Sequence, residues 1–135
     1  MFTLYKIYYG EELAYLGRTR QPLTRRLYGH FFKAKLQKSL DLFKVSRIES
    51  AQFATCADMY LYEIYYINKL RPLLNRDDLA PDALTITLPE VAFAPFTCEL
   101  MDKWKVEVIV RQEEARKRKA QQRAKRAAAK AGKTG

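Results

Sequence analysis

The sequence predicts an α+β domain: a small, three-stranded, largely antiparallel sheet flanked by helices in the order β-β-α-β-α, with a basic, helical C-terminal extension. Three observations predict it. Two runs of β-branched and aromatic residues near the start are separated by a glycine-led break. Pro22 opens a stretch with helical apolar spacing. A long apolar and aromatic segment begins at a capping threonine, Thr55, and is closed by Pro72.

Residues 3–9, Thr-Leu-Tyr-Lys-Ile-Tyr-Tyr, have the composition strands favour. Gly10-Glu11-Glu12 interrupts the run and Leu13-Ala14-Tyr15-Leu16-Gly17 resumes it, so a β-hairpin is expected. Pro22 suits a first helical turn, and Leu27, Phe31 and Leu36 mark an apolar face on a helix from Leu23 to about Leu36. Gly29 weakens that helix by roughly 1 kcal/mol. Phe43-Lys44-Val45-Ser46-Arg47-Ile48 reads as the third strand. Thr55 is placed as N-cap of a helix running from Ala57 to about Leu70, with Asp58 three residues on. Arg71, preceding Pro72, is steered out of helical geometry. Residues 77–95 contain Pro81, Pro89 and Pro95 and read as a wrapping segment with a short strand at residues 84–88. From Glu99 to Ala131 no proline or glycine intervenes, and Leu100, Trp104 and Val108 follow helical spacing. Residues 105–110 alternate like a strand, which leaves that junction open between helix and strand.

The net charge of +10 is unevenly spread. Residues 111–135 hold ten basic and two acidic groups, a balance of +8, which leaves +2 for the first 110 residues. Within residues 1–38, eight basic groups face only Glu11 and Glu12. Two basic regions point to a polyanion, of which nucleic acid is the commonest. Arg18, Arg20 and Arg25 near the start, and Arg116, Lys117, Arg118, Lys119, Arg123, Lys125 and Arg126 in the tail, are the expected contacts. Charge alone also permits a merely solvated helix there. No apolar run approaches a membrane span of ~20 residues, and the first residues lack the pattern of a secretory signal. Cys56 and Cys98 lack metal-ligand spacing and read as reduced thiols. The expectation is a cytoplasmic protein, in a bacterial or phage-infected cell, that engages no membrane.

Arg26 and His30 stand four apart, so the proposed helix projects both from one face. A guanidinium offers a planar fork of donors for a phosphate. Arg25 is equally charged, but the helical relation to His30 selects Arg26. Glu63 lies among Met59, Tyr60, Leu61, Tyr62, Ile64, Tyr65, Tyr66 and Ile67, and is the only acid between Asp58 and Asp77. A carboxylate on so apolar a helix either faces water or is buried against a cation. One carboxylate suits Mg2+, which keeps several waters and takes phosphate oxygens as ligands; it does not suit a two-metal centre. Among nine tyrosines, Tyr5 and Tyr15 are distinguished by lying ten residues apart on paired strands.

These residues, in this order, resemble the GIY-YIG nuclease superfamily over residues 3 to about 76. Thr3-Leu4-Tyr5 stands for the first motif, with Thr3 in place of the usual glycine, and Tyr15-Leu16-Gly17 for the second. Arg26 with His30, Glu63, and Pro72-Leu73-Leu74-Asn75 fall at the family's arginine, metal-binding glutamate and closing Pro-x-x-Asn. The resemblance implies a nuclease domain over residues 1–78, a wrapping segment and helix start over 79–110, and a basic tail over 111–135. It implies hydrolysis of DNA phosphodiesters by water, with Mg2+ or Mn2+ on Glu63 and no small-molecule cofactor. Arg26 is then the transition-state stabiliser and Tyr5 the group that activates water. Tyr15 and His30 order the proton traffic around it, with Gly17 and Asn75 in support. A stand-alone basic body leans towards a phage or mobile-element enzyme. Two other readings remain: a non-catalytic nucleic-acid binder on a nuclease scaffold, and an RNA-binding protein acting through its tail. The oligomeric state is left open.

Overall fold

The computed structural model describes residues 1–33 and 40–133, and the chain divides into two compact units, Met1–Cys98 and Glu99–Gly135. In the first unit, β1 (Phe2–Tyr9) and β2 (Glu12–Thr19) form the expected hairpin, turned by Gly10 at a φ of +60°. That left-handed conformation costs glycine little and other residues more. Helix α1 (Leu23–Phe32) follows, and the expected continuation over residues 34–36 lies outside the described residues. Strand β3 (Val45–Phe53) pairs antiparallel with the free side of β1, and α2 (Cys56–Leu70) returns across the sheet. The Thr55 hydroxyl accepts the Asp58 N–H at 3.1 Å, as an N-cap should. At the other end Arg71 adopts φ 49°, ψ 64° and stops the helix ahead of Pro72.

The sheet has four strands rather than three, in the order β2-β1-β3-β4, all antiparallel. The extra strand, β4 (Ala94–Phe96), lies on the outer edge of β3. Residues 84–88, where a strand was expected, form none. Pro95 explains why β4 escapes a reading by composition. Proline cannot donate to a ladder and is tolerated only at an edge, the position β4 occupies.

One sheet face packs on α2. Leu4 and Leu16 meet Met59, Tyr65, Tyr66 and Ile67, and the segment after α2 adds Leu79, Leu88, Val91 and Phe93 around them. That segment is tied to α2 by the Tyr62 hydroxyl, which donates to the Pro89 carbonyl at 2.8 Å, and by the Val91 N–H, which donates to the Tyr66 oxygen at 2.9 Å. Side chains alternate along a strand, so Tyr5, Ile7, Tyr15 and Gly17 occupy the opposite face, with Leu27 and His30 of α1 also buried.

The exposed edge of β2 is closed by the chain that leaves α2. Leu73 and Leu74 donate their N–H groups to the Leu13 and Ala14 carbonyls at 3.2 and 2.9 Å. Asn75 continues the ladder with its side chain: its Oδ1 accepts the Leu16 N–H at 2.9 Å and its Nδ2 donates to the Leu16 carbonyl at 2.8 Å. The carboxamide thus acts as one more peptide unit on the strand, and Asn75 is 3% exposed.

The second unit is dominated by α3 (Met101–Lys133), a single helix of 33 residues. It decides the ambiguous stretch: residues 105–110 are helical.

The Asn75 clasp generates a prediction. Asn75→Ala leaves two buried backbone groups of Leu16 unpaired and should cost about 2–4 kcal/mol, read from urea denaturation. Asn75→Asp keeps the acceptor but sets an oxygen against the Leu16 carbonyl, so it should also destabilise the fold. Asn75→Ala with unchanged stability would show that the clasp contributes nothing.

Candidate active site

On the α1 face the sequence-selected residues form a buried polar network. Tyr5 and Gly17 are cross-strand partners at the centre of the hairpin. Arg26 and His30, four apart on α1, reach the same phenol: His30 Nε2 lies 2.5 Å from the Tyr5 oxygen, and Arg26 Nε donates to that oxygen at 3.3 Å. A guanidinium can only donate. The phenol therefore accepts from Arg26, and its contact with Nε2 runs in the direction the imidazole tautomer sets. Tyr15 packs edge-on against His30 with ring centroids 5.1 Å apart and lies 6.0 Å from the Tyr5 ring.

Gly17 makes this possible. A Cβ there would stand 2.6 Å from Tyr15 Cε1 and 2.6 Å from the Tyr5 oxygen, so the two phenols lean into the space a side chain would fill. Any larger residue would push apart the groups that the network brings together.

Electrostatics distinguish the two phenols. Tyr5 and His30 have no exposed surface, whereas Tyr15 is only partly buried. Burial, reinforced by Tyr15, pushes the Tyr5 hydroxyl far above the ordinary phenol range despite the pull of Arg26. Tyr15 is also raised by burial; Arg26 opposes the shift and Glu63 adds to it. For Arg26, burial favours loss of the proton, but the adjacent phenols outweigh it, and the guanidinium is held charged more firmly than usual.

Glu63 arrives from the other side of the sheet. Helix α2 packs on the Leu4–Leu16 face, and β2 beyond Leu16 is free of the Leu73–Asn75 clasp. Glu63 reaches this outer strand and pairs with Arg18 Nε at 3.5 Å. Its charge is felt by both Tyr15 and Arg26. The carboxylate is 18% exposed. Burial lifts it above the ordinary carboxyl value, Arg18 and Arg26 pull it down and Asp78 pushes it up, and the net shift is upward.

Tyr5, Tyr15, Arg26 and His30 thus form one contact network, which Glu63 joins electrostatically through Tyr15 and Arg26, with Gly17 among them and Asn75 on the neighbouring residue. Arg25 is exposed on α1, and Arg20 lies over the Phe2 ring at 5.5 Å. The tail residues Arg116 to Arg126 are exposed on α3. Two features escaped sequence reasoning. Tyr5, expected to activate water, has no surface for water to touch. Arg18, expected to meet phosphate, pairs with Glu63 and stacks over Tyr60 at 4.0 Å. The signal for Arg18 was its position: one step after Gly17 on a strand, it must point to the α2 face.

Among the described residues no group of three His, Cys, Asp or Glu side chains is placed to hold a metal. A closed protein cage does not fit this donor set. A single, partly buried carboxylate with a raised proton affinity does fit a hard divalent ion that draws its remaining ligands from water and phosphate. No protein-family model, curated protein or solved structure matches the chain.

Two predictions arise from this geometry. Gly17→Ala should destabilise the fold by about 1–3 kcal/mol, the usual range for overpacking, measured by chemical denaturation; an unchanged midpoint would show that the phenols are not wedged there. For Glu63, a folded-state value above the unfolded one means that its contribution is fully present at low pH and is lost as pH rises through the folded value. Glu63→Gln escapes that loss. Its melting temperature relative to the parent should therefore rise from acid pH to a plateau at neutral pH. A neutral-pH variant less stable than the parent would show that the Arg18 pair outweighs burial.

Proposed function

We propose that this chain is a metal-dependent nuclease of the GIY-YIG type that hydrolyses DNA phosphodiester bonds by attack of water. The observation that carries the reading is convergence. Residues 5, 15, 26, 30 and 63 come from two strands and two helices on opposite faces of the sheet, yet interact as one electrostatic cluster around a position that only glycine can occupy.

Glu63 would hold Mg2+ or Mn2+, and the ion would supply charge neutralisation at the scissile phosphate. Arg26, anchored by Tyr5 and kept charged, places its guanidinium where negative charge develops, the effect expected to dominate such a reaction. Water activation is assigned to Tyr15 rather than Tyr5, because Tyr15 is the phenol of the pair with access to solvent. Tyr5 and His30 act behind it: their hydrogen bond orients Arg26 through the shared phenol oxygen and fills the space next to the Tyr15 ring. They are positioning residues in this scheme. The basic tail adds phosphate affinity that weakens with salt.

A non-catalytic binder is the competing reading, favoured by the Arg18–Glu63 pair, which occupies the Glu63 carboxylate. Cleavage separates the two. With Mg2+, the protein should nick or linearise at least one member of a panel of plasmid, duplex, flap and junction DNA. Arg26→Ala should lower the rate by about 10²–10³, as for loss of one transition-state donor. Tyr15→Phe should lower it by about 10²–10⁴, as for loss of a general base, and should abolish the rise of rate with pH expected from a phenol whose ionisation lies above the ordinary range. Glu63→Ala should remove metal-dependent cleavage. A panel left intact by the parent protein would overturn the nuclease reading.

A further inference from the structure

The basic residues of α3 are not spread evenly around it. Arg116, Lys119, Arg123, Arg126 and Lys130 recur at intervals of three, four, three and four. At about 3.6 residues per turn this keeps all five within about a quarter of the circumference. Acids are kept off this stripe. Glu107 pairs with Arg111 at 2.6 Å, four residues on. Glu113 and Glu114 stand at the same interval before Lys117 and Arg118, in the direction that favours acid–base contact on a helix. The acids of this stretch are therefore matched in spacing to cations outside the stripe, and the rest of the circumference carries Lys117, Arg118 and Lys125 interleaved with Gln121, Ala124, Ala128 and Gly132. All five stripe residues are exposed.

We propose that this row of five cations is a docking surface for the phosphate backbone of duplex nucleic acid, read as a line of charge by a rigid helix. The row runs about 21 Å from Arg116 to Lys130 at 1.5 Å per residue. A duplex offers a matching partner: its phosphates are regularly spaced, it stays straight over about 150 base pairs, and its major groove is about 12 Å wide and admits a helix. A single strand would have to be straightened to meet the row. An anionic membrane is the weaker match, because residues 111–133 contain no Leu, Ile, Val, Phe, Tyr or Trp to enter a bilayer. The surface does not depend on catalysis; it would serve a nuclease or a binder equally.

The test moves charge without changing it. In the full-length chain, Lys119→Ala is combined with Ala120→Lys and Arg123→Ala with Ala124→Arg. Composition, net charge and mean helix propensity stay fixed, and the cations become distributed around the axis. Circular dichroism should report unchanged helicity. Binding to a labelled duplex is measured in EDTA, so that cleavage plays no part, across a salt series. Each lost phosphate contact removes about 0.9 from the slope of log affinity against log salt. The rearranged chain should therefore show a slope shallower by about 1.8, and a dissociation constant about thirtyfold higher at physiological salt. Equal slopes and affinities for the two chains would overturn the proposal and leave the tail as unpatterned charge. Sensitivity to the rearrangement with single-stranded RNA or anionic vesicles, but not with the duplex, would overturn the assignment of partner. Because binding and cleavage are read separately, a protein that never cuts DNA can still pass this test, and a nuclease can still fail it.

Discussion

Leu16 is where the strand hairpin and the chain leaving α2 are locked together. Its peptide groups are both taken by the Asn75 carboxamide, and Asn75 follows α2 by only a few residues. A backbone pair on an edge strand would tolerate sliding, because every residue offers the same groups. The carboxamide, seated among buried side chains at 3% exposure, holds the one register in which the apolar residues around it also pack. The clasp therefore fixes the register between β2 and the chain leaving α2. Gly17 is the next residue on β2, so the same contact sets where Glu63 stands relative to Tyr15 and Arg26.

That arrangement answers a difficulty built into a two-faced sheet. Side chains for one site ordinarily project from one face, and α1 and α2 lie on opposite faces. A site at the centre of the sheet could not draw on both. At the outer strand, beyond the Leu73–Asn75 clasp, the backbone is no barrier, and a carboxylate from one face can act on a phenol and a guanidinium from the other. The buried network on the α1 face has its own requirement. Tyr5 and His30 are wholly buried, and unpaired they would be destabilising. The chain from guanidinium to phenol to imidazole gives each a partner, and a satisfied polar network of this kind permits few alternative packings.

Local chemistry made much of this legible in the sequence. Gly10 announced the hairpin, Thr55 the start of α2 and Pro72 its end, because each acts on the backbone within three residues of itself. The alignment of Arg26 with His30 was readable because helical spacing is a local property. What failed to show depended on partners distant in sequence. Strand β4 is three residues with a central proline, and only the open edge of β3 makes it a strand. The burial of Tyr5 follows from two layers closing over β1, which no strand composition encodes. The Arg18–Glu63 pair joins a strand to a helix more than forty residues away. Alternation along β2 did specify the face on which Arg18 falls; what it could not specify was that a carboxylate would be waiting there.

Glu63 also shows how a pairing can be present and still incomplete. The Arg18 guanidinium is 45% exposed, so water and salt screen its charge, and an exposed arginine holds a carboxylate weakly. Had that pair compensated for burial, the carboxyl would have been held below its ordinary value. It lies above it, so the desolvation of Glu63, together with the charge of Asp78, exceeds what Arg18 and Arg26 return. The carboxylate therefore keeps a demand for positive charge that its neighbours do not meet. A doubly charged ion with its own water shell meets that demand better than a single delocalised cation lying 3.5 Å away, because the attraction scales with charge while the ion's waters replace lost hydration. The surplus proton affinity is the expression of that imbalance, created where α2 presses an acid against the end of β2.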